Sequence, residues 1–241
     1  MSGYPPPRDR HGEGGLVYRC RPCARARLLD YFERIGDYSP LARLVRRATG
    51  AEVILWELSE RLRLREALTR LYRVSVSGAE HVPPGGCILV ANHESVIDPF
   101  FLSLATRRRV RFMAKAELWR YPLVRWGMDA YGAFPIERGN GDRGAMAHAG
   151  KLLSEGEVLG MFPRGTSKPA GNRHWQRGAA RLALTYGTPL VPVRLLNTRQ
   201  LVPRRPIEVR IGEPIAAERQ PPTIAAARDL TVRVESAVEE L

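Results

Sequence analysis

From residue 73 onward, short apolar or β-branched runs alternate with stretches long enough for helices, and this alternation commits the chain to a sheet with helices laid on its faces. The runs fall at 74–76, 87–91, 110–113, 133–136, 158–162, 190–193 and 207–211. Helices fit near 97–107, 115–130, 142–155, 177–186 and 222–240. The expected fold class is α/β, with one domain over 73–241 and no internal repeat.

Upstream of that domain the texture changes. Residues 1–15, rich in proline, glycine and charge, read as a disordered leader. Residues 16–72 read as a helical segment, broken at Gly36, Pro40 and Gly50. In its last part Ile54, Leu55, Leu58, Leu62, Leu68 and Leu71 recur at helical spacing, interrupted by Arg61, Arg63, Arg65 and Arg70. Two uses fit that pattern: a helix packed on the core with a solvated basic face, or a segment lying on an anionic membrane surface through Trp56, Leu64 and the arginines.

The formal net charge of +13 and a pI near 10.5 favour polyanionic partners, whether nucleic acid, anionic lipid or phosphorylated substrates. No helix-turn-helix, zinc-finger or single-strand-binding signature is present, so nucleic acid is not the expected partner. Lys115, Lys151 and Lys168 are the only lysines among 38 basic residues, a skew that fits either codon bias or a need for phosphate-gripping guanidinium groups. Three cysteines, Cys20, Cys23 and Cys87, suggest a reducing compartment. Cys20 and Cys23 have zinc-like spacing but lack a second pair, and no metal is expected. No apolar run approaches the roughly 20 residues of a spanning helix. The opening Met-Ser-Gly-Tyr-Pro-Pro-Pro does not read as a signal peptide. Membrane contact is therefore expected to be peripheral, on the cytoplasmic face.

The most informative stretch is Cys87-Ile-Leu-Val-Ala-Asn-His93-Glu-Ser-Val-Ile-Asp98. A continuous apolar run is the pattern of a buried strand, and its C-terminal end delivers Asn92 and His93 to the edge where α/β sheets bind ligands. His93 and Asp98 are five apart, so they meet only if the chain bends between them. A strand-to-helix turn over 94–97 supplies the bend. The carboxylate then fixes the imidazole tautomer and leaves the other ring nitrogen as a base toward a substrate hydroxyl.

The same stretch resembles the lysophospholipid and glycerophosphate acyltransferase family, whose first motif is Asn-His-x4-Asp. Gly132-Ala-Phe-Pro-Ile-Glu-Arg138 looks like its second motif. Phe162-Pro-Arg164-Gly165-Thr166-Ser167-Lys168 is similar to its third, Phe-Pro-Glu-Gly-Thr-Arg-Ser, with Arg164 in place of Glu and Ser167 in place of Arg. Pro189-Leu-Val-Pro192-Val resembles its fourth. The resemblance implies a mixed sheet flanked by helices, O-acyl transfer in phospholipid biosynthesis, and an acyl-CoA or acyl carrier protein thioester as co-substrate with no other cofactor. It further implies a phosphate-bearing lysolipid such as lysophosphatidic acid as acceptor. It assigns His93 and Asp98 to catalysis and Arg138 to the acceptor phosphate. Lys115, Arg164, Gly165 and Thr166 complete the expected substrate-binding set, with free backbone N–H groups at Gly165 and Thr166 holding phosphate or polarising the thioester carbonyl. The alternatives are a catalytically silent lipid- or thioester-binding relative, suggested by the altered third motif, and a basic nucleic-acid-binding protein.

Overall fold

A computed structural model of the chain describes residues 64–130, 132–136, 143–165, 174–199 and 206–241. The expected leader, most of the 16–72 segment, Cys20, Cys23, Arg138, Thr166, Ser167 and Lys168 lie outside the described residues.

Helix α1 (Leu64–Leu71) leads into strand β1 (Ser75–Ser77). The strands that follow are β2 (Cys87–Ala91), β3 (Val110–Lys115), β4 (Phe134–Ile136), β5 (Val158–Met161), β6 (Leu190–Leu196) and β7 (Glu208–Ile211). Between and after them run α2 (Asp98–Leu102), α3 (Pro122–Ala130), α4 (Arg143–Ser154), α5 (Gly178–Tyr186) and α6 (Ile224–Glu240). The seven strands form one sheet in the order β1-β7-β6-β2-β5-β3-β4. Strands β2 to β6 are mutually parallel, β7 is antiparallel to β6, and β1 is parallel to β7, so the sheet is mixed.

Central β2 is buried along its whole length, as its uninterrupted apolar sequence requires of a strand covered on both faces. Ile88 and Val90 join the core formed with α4, α5 and α6. Leu89 and Ala91 point the other way, onto Phe101, Leu102, Val191 and Val193. Each fully buried side chain of this size contributes about 1.5–3 kcal/mol. Trp175 belongs to the first core, and Phe100 packs edge-on against Phe101 at the margin of the second.

The edge at which the parallel strands begin is tied by Arg108. Its guanidinium donates to the carbonyls of Pro83 at 2.6 Å and Gly85 at 2.7 Å, and also to that of Gly156. One cation thus joins the segments that feed β2, β3 and β5. At the last helix, the Thr223 hydroxyl caps the start by accepting from the Ala226 N–H at 3.1 Å. Arg194 and Arg210 donate to carbonyls at the other end, where cations suit the helix dipole.

Candidate active site

Where β2 leaves the sheet, the Asn92 side chain takes over from the backbone. Its Oδ1 accepts from the Leu195 N–H at 2.7 Å and its Nδ2 donates to the Leu195 carbonyl at 2.8 Å. The amide therefore extends the β2–β6 ladder by one step while the main chain turns away. His93 comes next, on the same side of the sheet as Leu89 and Ala91.

Across the 94–97 turn, Asp98 opens α2. It is fully buried, and its Oδ2 accepts three hydrogen bonds: from Glu94 N–H at 2.6 Å, Ser95 N–H at 2.8 Å and His93 Nδ1–H at 2.9 Å. Two backbone donors and an imidazole make a buried carboxylate tolerable. Asp98 Oδ1 is buried without a hydrogen-bond partner. With Nδ1 held as the donor, Nε2 carries the lone pair, and among the described residues nothing is bonded to it. The expected bend and dyad are therefore present, with His93 retaining 17 % of its side-chain exposure.

Phe162, the first residue of the third motif, follows β5 and lies against the His93 ring with centroids 4.4 Å apart and planes 27° apart. The chain then makes a tight turn in which Gly165 has φ of 66° and donates its N–H to the Phe162 carbonyl at 2.9 Å. Glycine suits that left-handed conformation. This corrects one expectation: the Gly165 N–H is engaged within the turn and is not a free donor for phosphate or thioester. The excursion beyond it is closed by the Gln176 N–H on the Pro163 carbonyl at 3.0 Å.

Lys115 ends β3 and is exposed, on the same edge as His93 but two strands away. Arg138 lies two residues beyond β4, outside the described residues. Arg164 is exposed beside the last helix, where it and His174 partly offset the effect of burial and of Glu239, which hold the Glu235 carboxyl above its usual range. Cys87 is at the far end of β2 from His93. Burial pushes its thiol up to about 11, with Arg108 opposing, so it stays protonated and is no nucleophile. The edge thus brings His93, Asp98, Lys115, Arg164 and Gly165 to the C-terminal ends of parallel strands. Sequence reasoning left two residues without a role, Asn92 and Phe162. Their presence in the first and third motifs was the available signal.

The family profile described as Acyltransferase matches residues 73–196, from just before β1 to the end of β6. The chain belongs to the acyltransferase family. Among relatives of the chain, 1-acyl-sn-glycerol-3-phosphate acyltransferase BAT2 of Brassica napus chloroplasts is 28% identical over 137 residues, covering 55% of this chain and 40% of the relative. The 1-acyl-sn-glycerol-3-phosphate acyltransferase of Bacillus subtilis is 29% identical over 147 residues, covering 59% and 73%. The chain spans about two fifths of the plant relative's length and about three quarters of the bacterial one's. In fold the chain is similar to the crystal structure of the 1-acyl-sn-glycerophosphate acyltransferase PlsC from Thermotoga maritima, with a TM-score of 0.58 at 24% identity over 90% of this chain and 86% of that one. The mixed sheet with flanking helices agrees with that structure.

Proposed function

We propose that this acyltransferase moves a fatty acyl group from an acyl-CoA or acyl carrier protein thioester to the free hydroxyl of a lysophosphatidic acid-like acceptor, as a step of phospholipid biosynthesis. The observation that carries the reading is the His93 imidazole, bonded through Nδ1 to a buried carboxylate and open at Nε2. Such a base needs a hydroxyl to act on. The substrate supplies it: Nε2 takes the acceptor's proton, and the oxygen attacks the thioester carbonyl carbon. The tetrahedral intermediate then collapses with rupture of the C–S bond, and the proton passes from His93 to the departing sulfur. The balance is one ester and one thiol from one thioester and one alcohol. Arg138 is assigned to the acceptor phosphate, for which guanidinium offers paired hydrogen bonds, with Lys115, Arg164 and Thr166 as further substrate contacts.

The test is product analysis by mass spectrometry, with the purified full chain given mixed lysolipids and either acyl-CoA or acyl-loaded carrier protein. Formation of the diacyl product from lysophosphatidic acid supports the proposal and identifies the donor. No product with any pair, beside an active control enzyme, overturns it in favour of a silent binding protein. Replacing Arg138 by alanine is expected to raise the acceptor KM well above any change in the donor KM. Equal effects on both would reassign the residue.

The distribution of charge supports a location for the reaction. Among the described residues of the connecting segments on the edge that carries His93, Arg73, Lys115, Arg120, Arg164, Arg177 and Arg199 are exposed bases, and Glu94 and Glu117 are exposed acids. On the opposite edge Arg107 and Arg219 are outnumbered by Glu80, Glu155, Glu213 and Glu218. Exposed Leu71, Val96 and Tyr121 add apolar contacts to the first edge. Among the described residues no helix is long and apolar enough to cross a membrane. These features support peripheral docking, active edge first, on the anionic cytoplasmic leaflet, where each basic residue near the surface contributes about 1 kcal/mol. The chain is expected to sediment with anionic vesicles and to be released as salt rises. Equally tight binding to neutral vesicles would remove the electrostatic component.

A further inference from the structure

The hydrogen bond to Asp98 holds His93 Nδ1 as the donor, but its tolerance in length and angle leaves the two side-chain torsions some play. Because Nε2 lies across the ring from Nδ1, a small torsional change that the bond tolerates tilts the ring plane and displaces Nε2. A base that must meet a hydroxyl in line with a thioester carbon cannot tolerate such freedom, since misplacement by about 1 Å can cost 10²-fold. A second constraint is needed, and it has to act on the plane of the ring.

The flat face of Phe162 supplies one, at 4.4 Å and 27° from the imidazole. Phe162 is itself backed by Phe112, whose ring is 6.3 Å away and only 11° from parallel. Phe112 is buried on β3, and its register partner on β5 is Gly160. A Cβ at position 160 would lie 2.3 Å from Phe112 Cε1 and 2.8 Å from Cδ1, closer than real Cβ contacts come. The missing side chain thus makes the space that the Phe112 ring occupies. Phe162, just past the end of β5, continues the alternation of Gly160 and packs in the same core as Phe112, so the ring resting over Gly160 stands beside Phe162. Gly160, Phe112, Phe162 and His93 form a column from the sheet to the reacting nitrogen.

We propose that Phe162, backed by Phe112 over Gly160, is a positioning residue that fixes the plane of the His93 imidazole and with it the line along which Nε2 meets the acceptor hydroxyl. Asp98 sets the tautomer and anchors Nδ1, and the aromatic column limits the residual tilt of the ring. The roles are separable. The kinetic arm of the proposal rests on the acyl-transfer reading, whereas its geometric arm does not.

Phe162→Leu keeps an apolar group of similar size and removes the flat face. It is expected to lower kcat by about 10- to 100-fold while leaving both KM values nearly unchanged, and Phe162→Tyr, which keeps the face, is expected to restore most of the rate. Gly160→Ala should lower kcat only while Phe112 is present. Combined with Phe112→Leu it should cost little more than Phe112→Leu alone, the non-additivity expected of residues in contact. Proton NMR supplies the geometric readout. The His93 ring protons, identified by their loss in His93→Ala, should resonate upfield of a free imidazole in the wild type and move back in Phe162→Leu. Wild-type kcat in Phe162→Leu, a rise confined to KM, or a His93 resonance at the free-imidazole position would each overturn the proposal. An upfield His93 resonance in a wild-type protein that transfers no acyl group would count against the acyl-transfer reading and leave the stacked geometry standing.

Discussion

His93→Ala is expected to lower acyl transfer by about 10²–10⁴-fold, the usual cost of losing a general base, while the protein remains folded. Both halves follow from the hydrogen bonds around Asp98. Without the imidazole no group is left among the described residues to accept the acceptor's proton, and Cys87, at the other end of β2 with a thiol held protonated by burial, offers no covalent bypass. The Asp98 carboxylate, meanwhile, keeps its bonds from Glu94 and Ser95, so the turn retains its anchor after the histidine is removed. The measurement is single-turnover transfer with saturating donor and acceptor, beside a thermal melt. A folded variant that kept more than about a tenth of the wild-type chemical rate would refute direct attack by a His93-activated hydroxyl.

Asp98→Asn is expected to do comparable damage by a different route and to lower stability as well. An asparagine placed with its oxygen where Oδ2 now lies can still accept from Glu94, Ser95 and His93. Its charge is gone, however, so the imidazolium formed when Nε2 takes a proton is no longer compensated. In hydrolase triads the same change lowers turnover by about 10⁴-fold. The amide nitrogen then occupies the position of Oδ1, which is buried and has no partner. That position is unsatisfied in the wild type too, so the stability loss comes from the three retained hydrogen bonds, which lose the charge assistance that roughly doubles their strength, and it should appear as a lower melting temperature. The opposite orientation is worse, because it sets N–H donors against three others. A variant with unchanged kcat would show that the carboxylate only shapes the turn.

Much of this was legible in the residues alone, and the remainder was hidden for identifiable reasons. All seven strands form where short apolar or β-branched runs predict them, because each run has the length and side chains of a strand. The ends differ where pairing decides them. Strand β3 continues to Lys115, which pairs with Ile136 on β4, and β6 continues to Leu196, which pairs with Glu208 on β7. The helix expected from 115 begins instead as a 3-10 turn over Ala116–Arg120 and becomes α-helical at Pro122, since proline is suited to a first helical position. The His93–Asp98 pair was readable because both members lie within one turn. The support from Phe162 was not, because it depends on β5 being the neighbour of β2, and strand order is not written in local spacing. The same holds for Asn92, whose partner Leu195 is 103 residues away. The free N–H expected at Gly165 failed for a local reason, the hydrogen bond that closes its own turn.

The position of β2 in the sheet also has a consequence in time. Leu89 pairs on one side with Gly160 and on the other with Val191, so the strand that presents the base is made long before either neighbour that will hold it. On the ribosome, a growing chain that has reached the His93 motif has no seat for it, and the Asn92 clamp closes only after residue 195 has emerged. Closing such long loops before any contact rewards them slows folding, and it leaves an uncovered apolar strand in the nascent chain as a target for misassociation and for chaperones. The catalyst therefore appears late and all at once, and fragments truncated before β6 should carry the complete first motif yet remain inert.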